Sequence, residues 1–261
     1  MMWPTVMASM LLTVVLWWGS TAVIARLIVG NPERYPVLLR IFATIGATGF
    51  AVILATREVN STASAVAALL AALAVWSWIE VTFLTGKITG LTGSKPANAT
   101  TLRHGFVRHA ISALAAILWH ELLIVATIVI VAIGTYDSSN DLALQVLLLL
   151  WLMRSSAKLN LFLGVRNLGE GFFPPHLQHL LGFMRQRRMN PLMPVSLLLA
   201  GAICGYFCTA ALTASSTHDV AAATIIATLS VLALIEHLLM ILPVPAETLW
   251  RWSLANRRSS P

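Results

Sequence analysis

Charged residues are scarce in this chain. Asp, Glu, Lys and Arg make up only 10% of its 261 residues, whereas hydrophobic residues make up 58%. The apolar residues come in long blocks, which leave no room for a separate soluble domain.

Several functional signatures are also missing or weak. The chain has two cysteines, Cys204 and Cys208. Their spacing of one helical turn predicts side-by-side thiols rather than a disulfide. The glycine-rich stretch at 86–93 follows an apolar segment, with no strand before it and no Gly-Lys-Ser/Thr ending. It therefore indicates a turn and not a phosphate-binding loop.

The apolar blocks are long enough to cross a membrane. A helix spans the hydrocarbon core with roughly 20 apolar residues, and membrane barrels show short alternating strands instead. Seven segments have the helical length: about 4–28, 36–56, 62–84, 109–134, 142–164, 193–213 and 219–242. We therefore predict an all-α polytopic membrane protein, a bundle of about seven transmembrane helices forming one domain over 1–261.

Basic residues concentrate in alternate loops and at the C-terminus. They are Arg26, Arg34, Arg40, Lys87, Lys95, Arg103, Arg108, Arg166, Arg185, Arg187, Arg188, Arg251, Arg257 and Arg258. By the positive-inside rule these loops are cytoplasmic, so the N-terminus is periplasmic and the C-terminus cytoplasmic. Interfacial or cytoplasmic segments are expected at about 85–108, 165–192 and 243–261. The net charge of +7 is mostly this asymmetry and indicates no nucleic-acid partner.

The longest of these loops contains a periodic apolar pattern. Its large apolar residues are Leu177, Leu180, Leu181 and Met184. This spacing predicts a short helix on the membrane surface, opened by Pro175. His176 and His179, three residues apart, could bind a metal together, but with only Glu170 near them they are expected to face water. His104 and His109 are expected at the surface beside arginines.

Two basic residues interrupt the apolar segment 142–164. Arg154 and Lys158 are one turn apart, so both leave the same face of a helix. On insertion scales each charge costs roughly 2.5–3.5 kcal/mol in a bilayer. They therefore need acidic partners from other helices or a polar cavity.

Acidic residues and histidines occur at a similar depth in other helices. Counted from the cytoplasmic ends at about 1.5 Å per residue, they lie roughly 6–16 Å deep, as do Arg154 and Lys158. They are Glu80, His120, Glu121, Glu236 and His237. The sequence thus predicts one polar layer inside the membrane.

Four interpretations of this layer remain open. In the first, Glu121 and Glu236 neutralise the two cations and lock the bundle. In the second, the three glutamates and two histidines hold a metal, although two nearby cations oppose this and the Glu-x-x-His spacing of di-iron bundles is missing. In the third, His120 or His237 is an axial ligand of a tetrapyrrole. In the fourth, the acids form a proton or substrate path.

Small and polar residues follow another face of the same helix. They recur at spacings of four, four and three: Ser156, Asn160, Gly164 and Asn167. Such a stripe lets helices approach closely and exchange hydrogen bonds. We predict a helix-packing contact here, within the chain or with another subunit.

The central part of the sequence resembles the PuhE family, the photosynthetic complex assembly proteins of phototrophic bacteria. The resemblance spans nearly the whole chain and is carried mainly by 150–168, 173–177 and 189–196, with Trp119-His-Glu121, Phe83-Leu-Thr-Gly86 and Glu236-His237. Relatives are expected to have a histidine where this chain has Ile79, which leaves a His-Glu pair incomplete.

The resemblance implies a role in assembling the reaction centre and core light-harvesting complex, with a link to bacteriochlorophyll supply. It implies a bacterial inner or photosynthetic membrane, and as partners reaction-centre or core-antenna subunits or other assembly factors. The alternative is a metal-dependent enzyme or pigment-binding protein acting on a tetrapyrrole. Bacteriochlorophyll or a precursor is then the expected cofactor, and iron the less favoured one. A transporter is disfavoured, because no repeated half is evident.

Overall fold

A computed structural model describes residues 2–90 and 106–244. Within these ranges seven helices are long and apolar enough to cross a membrane, and no strand is present. They are α1 (Trp3–Val29), α2 (Tyr35–Thr56), α3 (Thr62–Leu84), α4 (Phe106–Gly134), α5 (Leu142–Leu163), α6 (Leu192–Thr213) and α7 (Thr217–Ile241). The prediction of seven spanning helices is confirmed. The predicted interfacial residues at 91–105, including His104, and the tail from 245 onward lie outside the described residues.

Serine and glycine residues set several of the helix ends. Before α3, the Ser61 hydroxyl accepts the Ser64 amide, while the Ser64 hydroxyl accepts the Ser61 amide, each at 3.0 Å. These bonds satisfy amides that have no partner within the helix. Helix α5 ends at Gly164, whose φ of +122° is unfavourable for other residues. The chain turns there into a long connection to α6.

Helix α3 lies at the centre of the bundle. Of its most apolar 18 residues, 67% are buried, against 11% in α6. Alanines allow the neighbouring helices to approach closely, and larger side chains from α3, α4, α5 and α7 fill the core around them. The largest fully buried core residues include Leu69, Ile79, Ile124, Leu147 and Ile225.

Helix α2 approaches α3 closely at Gly49. A Cβ atom on Gly49 would lie 2.7 Å from the Ala71 carbonyl oxygen and 3.0 Å from the Ala74 Cβ. We expect Gly49→Ala to push α2 from α3 and to cost about 1–3 kcal/mol. Gly201→Ala in α6 is the matched control, because its Cβ would meet nothing within 4 Å. Thermal unfolding in detergent checks this, and equal midpoints for the two variants would contradict it.

The two ends of the bundle are held by different contacts. At one end the connections are short and bind one another. Arg57 Nη1 donates to the Gly134 carbonyl at 2.9 Å, and Asn140 Nδ2 donates to the Thr56 carbonyl at 3.2 Å. The opposite end, where α1, α3, α5 and α7 terminate, is called the basic end here.

The connection between α5 and α6 packs into the basic end. Its residues 175–183 form a 3₁₀ helix that begins at Pro175. Leu177, Leu180 and Phe183 are buried against Phe83 of α3. The short helix predicted to begin at Pro175 is therefore present, but it is a 3₁₀ helix and its apolar residues pack on the bundle. The helix has three residues per turn, which places 177, 180 and 183 on one face, whereas an α-helical period was assumed for this segment.

His109 is also buried, contrary to its predicted surface position. Its ring stacks on Phe162 of α5 with 5.1 Å between centroids, and Nε2 lies 3.3 Å from the Phe183 carbonyl oxygen. His109 thus joins α4 and α5 to the 3₁₀ helix. Its neighbour Arg108 suggested a solvated surface, but the incoming loop covers this position.

Candidate functional site

Helix α5 carries an ion pair to α3. Arg154 Nη2 donates to Glu80 Oε2 at 3.0 Å. The Glu80 side chain is only 10% exposed, whereas that of Arg154 is 46% exposed. The buried Glu80 carboxylate therefore depends on Arg154 for its ion pair, while the Arg154 side chain itself is half-exposed.

A second ion pair joins α5 to α4. Lys158 Nζ donates to Glu121 Oε1, and Trp151 Nε1 donates to Glu121 Oε2 at 3.1 Å. Residues 151, 154 and 158 share one face of α5, since their spacings are three and four. Both oxygens of Glu121 are thus satisfied by one helix. The sequence analysis missed Trp151, although its spacing from Lys158 could have revealed it.

Glu236 of α7 lies near these pairs without joining them. Its carboxyl group interacts electrostatically with Arg154 and Glu80. Among residues 2–90 and 106–244, however, no hydrogen bond or ion pair reaches it. The residue is exposed. The ion-pair partner of Arg154 is therefore Glu80, and not Glu236 as the first interpretation expected.

His237 is fully engaged by protein partners. Its Nδ1 lies 2.8 Å from the Ala233 carbonyl oxygen, and its Nε2 lies 2.9 Å from the Ser156 hydroxyl. Since a carbonyl oxygen can only accept, Nδ1 carries a proton, and the Ser156 hydroxyl occupies Nε2. His237 links α7 to α5, and both of its ring nitrogens have protein partners.

The ring nitrogens of His120, unlike those of His237, have no hydrogen-bond partner among the described residues. The His120 side chain is fully buried and packs against Phe83 with 4.6 Å between ring centroids. Glu80 Oε1 also has no hydrogen-bond partner within the described part of the chain. These are the unsatisfied polar atoms of the layer. Because His120 is enclosed, a flat macrocycle has no access to it in this arrangement.

The predicted small-and-polar stripe contacts neighbours at each position. Ser156 meets α7, and Asn160 Nδ2 donates to the Ser196 hydroxyl of α6 at 2.8 Å. Asn167 Nδ2 donates to carbonyl oxygens at the end of α7, those of Leu239 and Leu242 at 2.7 Å. The stripe therefore binds helices of the same chain.

Asn190 completes the stripe and was missed in the sequence. Its Nδ2 donates to Asn160 Oδ1 at 3.0 Å and to the Gly164 carbonyl at 2.9 Å. Its Oδ1 accepts the amides of Leu192 and Met193 at the start of α6. The one available signal was an asparagine directly before a proline and a helix, which is typical of a capping residue.

The metal candidates do not converge. In the described ranges no group of three His, Cys, Asp or Glu residues is placed to hold a metal ion. Glu80 and Glu121 are bound to cations, as the preceding contacts show. Of the loop histidines, His176 Nε2 lies 2.8 Å from the Leu84 carbonyl oxygen and His179 Nδ1 lies 3.0 Å from that of His176. The Cys204 and Cys208 sulfurs lie side by side at 3.9 Å, as predicted.

Comparison with known proteins places the chain in a family. A family model described as "Protein of unknown function (DUF3623)" matches residues 2–260. The chain belongs to the DUF3623 family. The match includes every helix described here, so the ionic layer lies inside the DUF3623 region.

The chain is also similar to a protein from Rhodobacter capsulatus. The chain is 30% identical over 252 residues to the "Uncharacterized 30.4 kDa protein in puhA 5'region" of that organism. The alignment covers 94% of this chain and 90% of the relative. No solved structure matches.

Proposed function

We propose that this protein is a membrane-embedded assembly factor for the photosynthetic reaction centre and core light-harvesting complex, coupled to bacteriochlorophyll supply. The observation that carries the proposal is the relative from Rhodobacter capsulatus, which is named for its place in the 5' region of puhA. The resemblance to the PuhE family supports the same role. We place the protein in the inner or photosynthetic membrane, with reaction-centre or core-antenna subunits as partners.

The distribution of polar and apolar contacts is consistent with a docking role. Hydrogen bonds and ion pairs from α5 reach α3, α4, α6 and α7. The polar groups in the interior therefore hold helices of the same chain together. The outer face of α6, by contrast, exposes Leu198 by 75% and Leu212 by 78%. Within a membrane such faces contact lipid or the helices of other proteins.

A deletion of the gene in its phototrophic host tests this role. We expect membranes of the deletion strain to lose the near-infrared absorption of the core complex, because assembly stalls. A plasmid copy of the wild-type gene should restore it. Total bacteriochlorophyll extracted from the same cells separates failed assembly from failed pigment supply. Unchanged core-complex absorption in the deletion strain would refute the proposed function.

Pigment binding is the second candidate function, favoured by the free ring nitrogens of His120. An imidazole nitrogen without a protein partner is available as an axial ligand once its surroundings open. The absorption spectrum and metal content of the purified full chain in detergent separate the possibilities. Bound bacteriochlorophyll would identify a pigment carrier and stoichiometric iron an enzyme. We expect a colourless, metal-free protein, as a docking factor requires.

A further inference from the structure

The polar layer has three carboxyl groups but only two Lys or Arg side chains. Glu80 is paired with Arg154, and Glu121 with Lys158. Glu236 remains, with no ion-pair partner among the described residues. The two charged groups that act on its carboxyl group, Arg154 and Glu80, already bind each other.

Glu236 also lies where another helix has access to it. It is exposed on α7, about five residues before the helix ends at Ile241, which is about 8 Å along the axis. Ile235 beside it is 44% exposed, and Val231 one turn earlier is also exposed. This face of α7 is thus an apolar surface with one carboxyl group, at a depth where an isolated charge is costly.

The local charges determine which partner fits. Arg154 is already bound to Glu80, so the carboxyl group of Glu236 has no cation of its own among the described residues. An acidic partner would only place a further carboxyl group beside Glu80 and Glu236. A basic side chain at the same depth would neutralise Glu236, just as Arg154 neutralises Glu80.

We propose that Glu236 is a docking residue for a transmembrane helix of another protein that carries a Lys or Arg at the depth of Glu236. The basic side chain pairs with the carboxylate, while Ile235 and Val231 pack against the apolar part of the same helix. This inference rests on the proposed docking function and specifies its contact.

Photo-crosslinking from Ile235 tests the contact in native membranes. The full chain carries p-benzoylphenylalanine at Ile235, and mass spectrometry identifies the crosslinked peptide. We expect a transmembrane peptide with a Lys or Arg, and a fall in its yield of about tenfold when Glu236→Gln is added. Glu58→Gln is the control, since Glu58 is an exposed loop acid paired with Arg57, and it should leave the yield unchanged.

A charge exchange completes the test. Glu236→Arg should abolish the adduct, and replacing the partner's basic residue with Glu should restore it. Four outcomes overturn the inference: a crosslinked segment without a basic residue, a yield unaffected by Glu236→Gln, lipid adducts alone, or no adduct from full-length labelled protein.

Failure of this inference is separable from failure of the proposed function. If the deletion strain loses its core complex but a Glu236→Gln strain keeps both the complex and the adduct, the assembly role stands and the Glu236 contact is wrong. If the deletion strain keeps its core complex, the assembly role is wrong whatever the crosslinking shows.

Discussion

Arg154→Leu is expected to destabilise the protein by about 3–5 kcal/mol, the usual cost of removing one partner of a buried ion pair. The reason is the burial of Glu80, whose side chain is only 10% exposed and whose Oε1 already lacks a partner. Without the 3.0 Å bond from Arg154, a buried carboxylate is left within the membrane with no hydrogen-bond or ion-pair partner. Thermal unfolding in detergent and the amount of protein in membranes both report the loss.

Two further variants isolate the ion pair as the cause. Adding Glu80→Gln to Arg154→Leu removes the stranded charge and should recover most of the stability. Glu58→Gln removes the carboxylate of an exposed pair, Arg57–Glu58 at 3.6 Å, leaves the Arg57–Gly134 bond in place, and should cost about 1 kcal/mol or less. An Arg154→Leu protein that unfolds at the wild-type temperature would contradict the compensating role of this pair.

The helices of this protein are predictable from sequence because the bilayer dictates them. A membrane span must satisfy all its backbone groups internally and must be apolar for roughly 20 residues. Apolar blocks such as 62–84 and 142–164 therefore correspond closely to α3 and α5. Nothing comparable constrains the connection between α5 and α6, where the 3₁₀ helix at 175–183 differed from the surface helix expected there.

The polar layer was predictable in depth but not in pairing. Rise per residue fixes how deep Glu80, Glu121 and Glu236 lie, whatever the arrangement of the helices. Which of them meets Arg154 depends on the order and rotation of the helices, and one sequence contains neither. Glu80 reaches Arg154 because α3 is the central helix, packed against α5. This placement could not be read from hydropathy, since the spanning segments are all strongly apolar.

Asn190 is the residue with the second largest expected effect. It is buried, and both ends of its amide are occupied. Nδ2 donates to Asn160 Oδ1 and to the Gly164 carbonyl, while Oδ1 accepts the amides of Leu192 and Met193 at 2.9 and 3.1 Å. It therefore links the end of α5 to the beginning of α6.

Asn190→Leu keeps the approximate volume of this side chain but leaves these buried groups unsatisfied. We expect a cost of about 2–4 kcal/mol, from the desolvation of the stranded groups and the lost cap. Asn190→Asp retains an acceptor for the two amides but loses the donor, so it measures the contribution of the link to α5.

Asn31→Leu is the control, because the Asn31 side chain accepts the Glu33 amide in the same way at 3.0 Å but is exposed to solvent, which replaces the bond. Thermal unfolding in detergent decides the matter. If the Asn190→Leu and Asn31→Leu proteins unfold at the same temperature, the contact between α5 and α6 is stabilised by apolar packing and not by this amide.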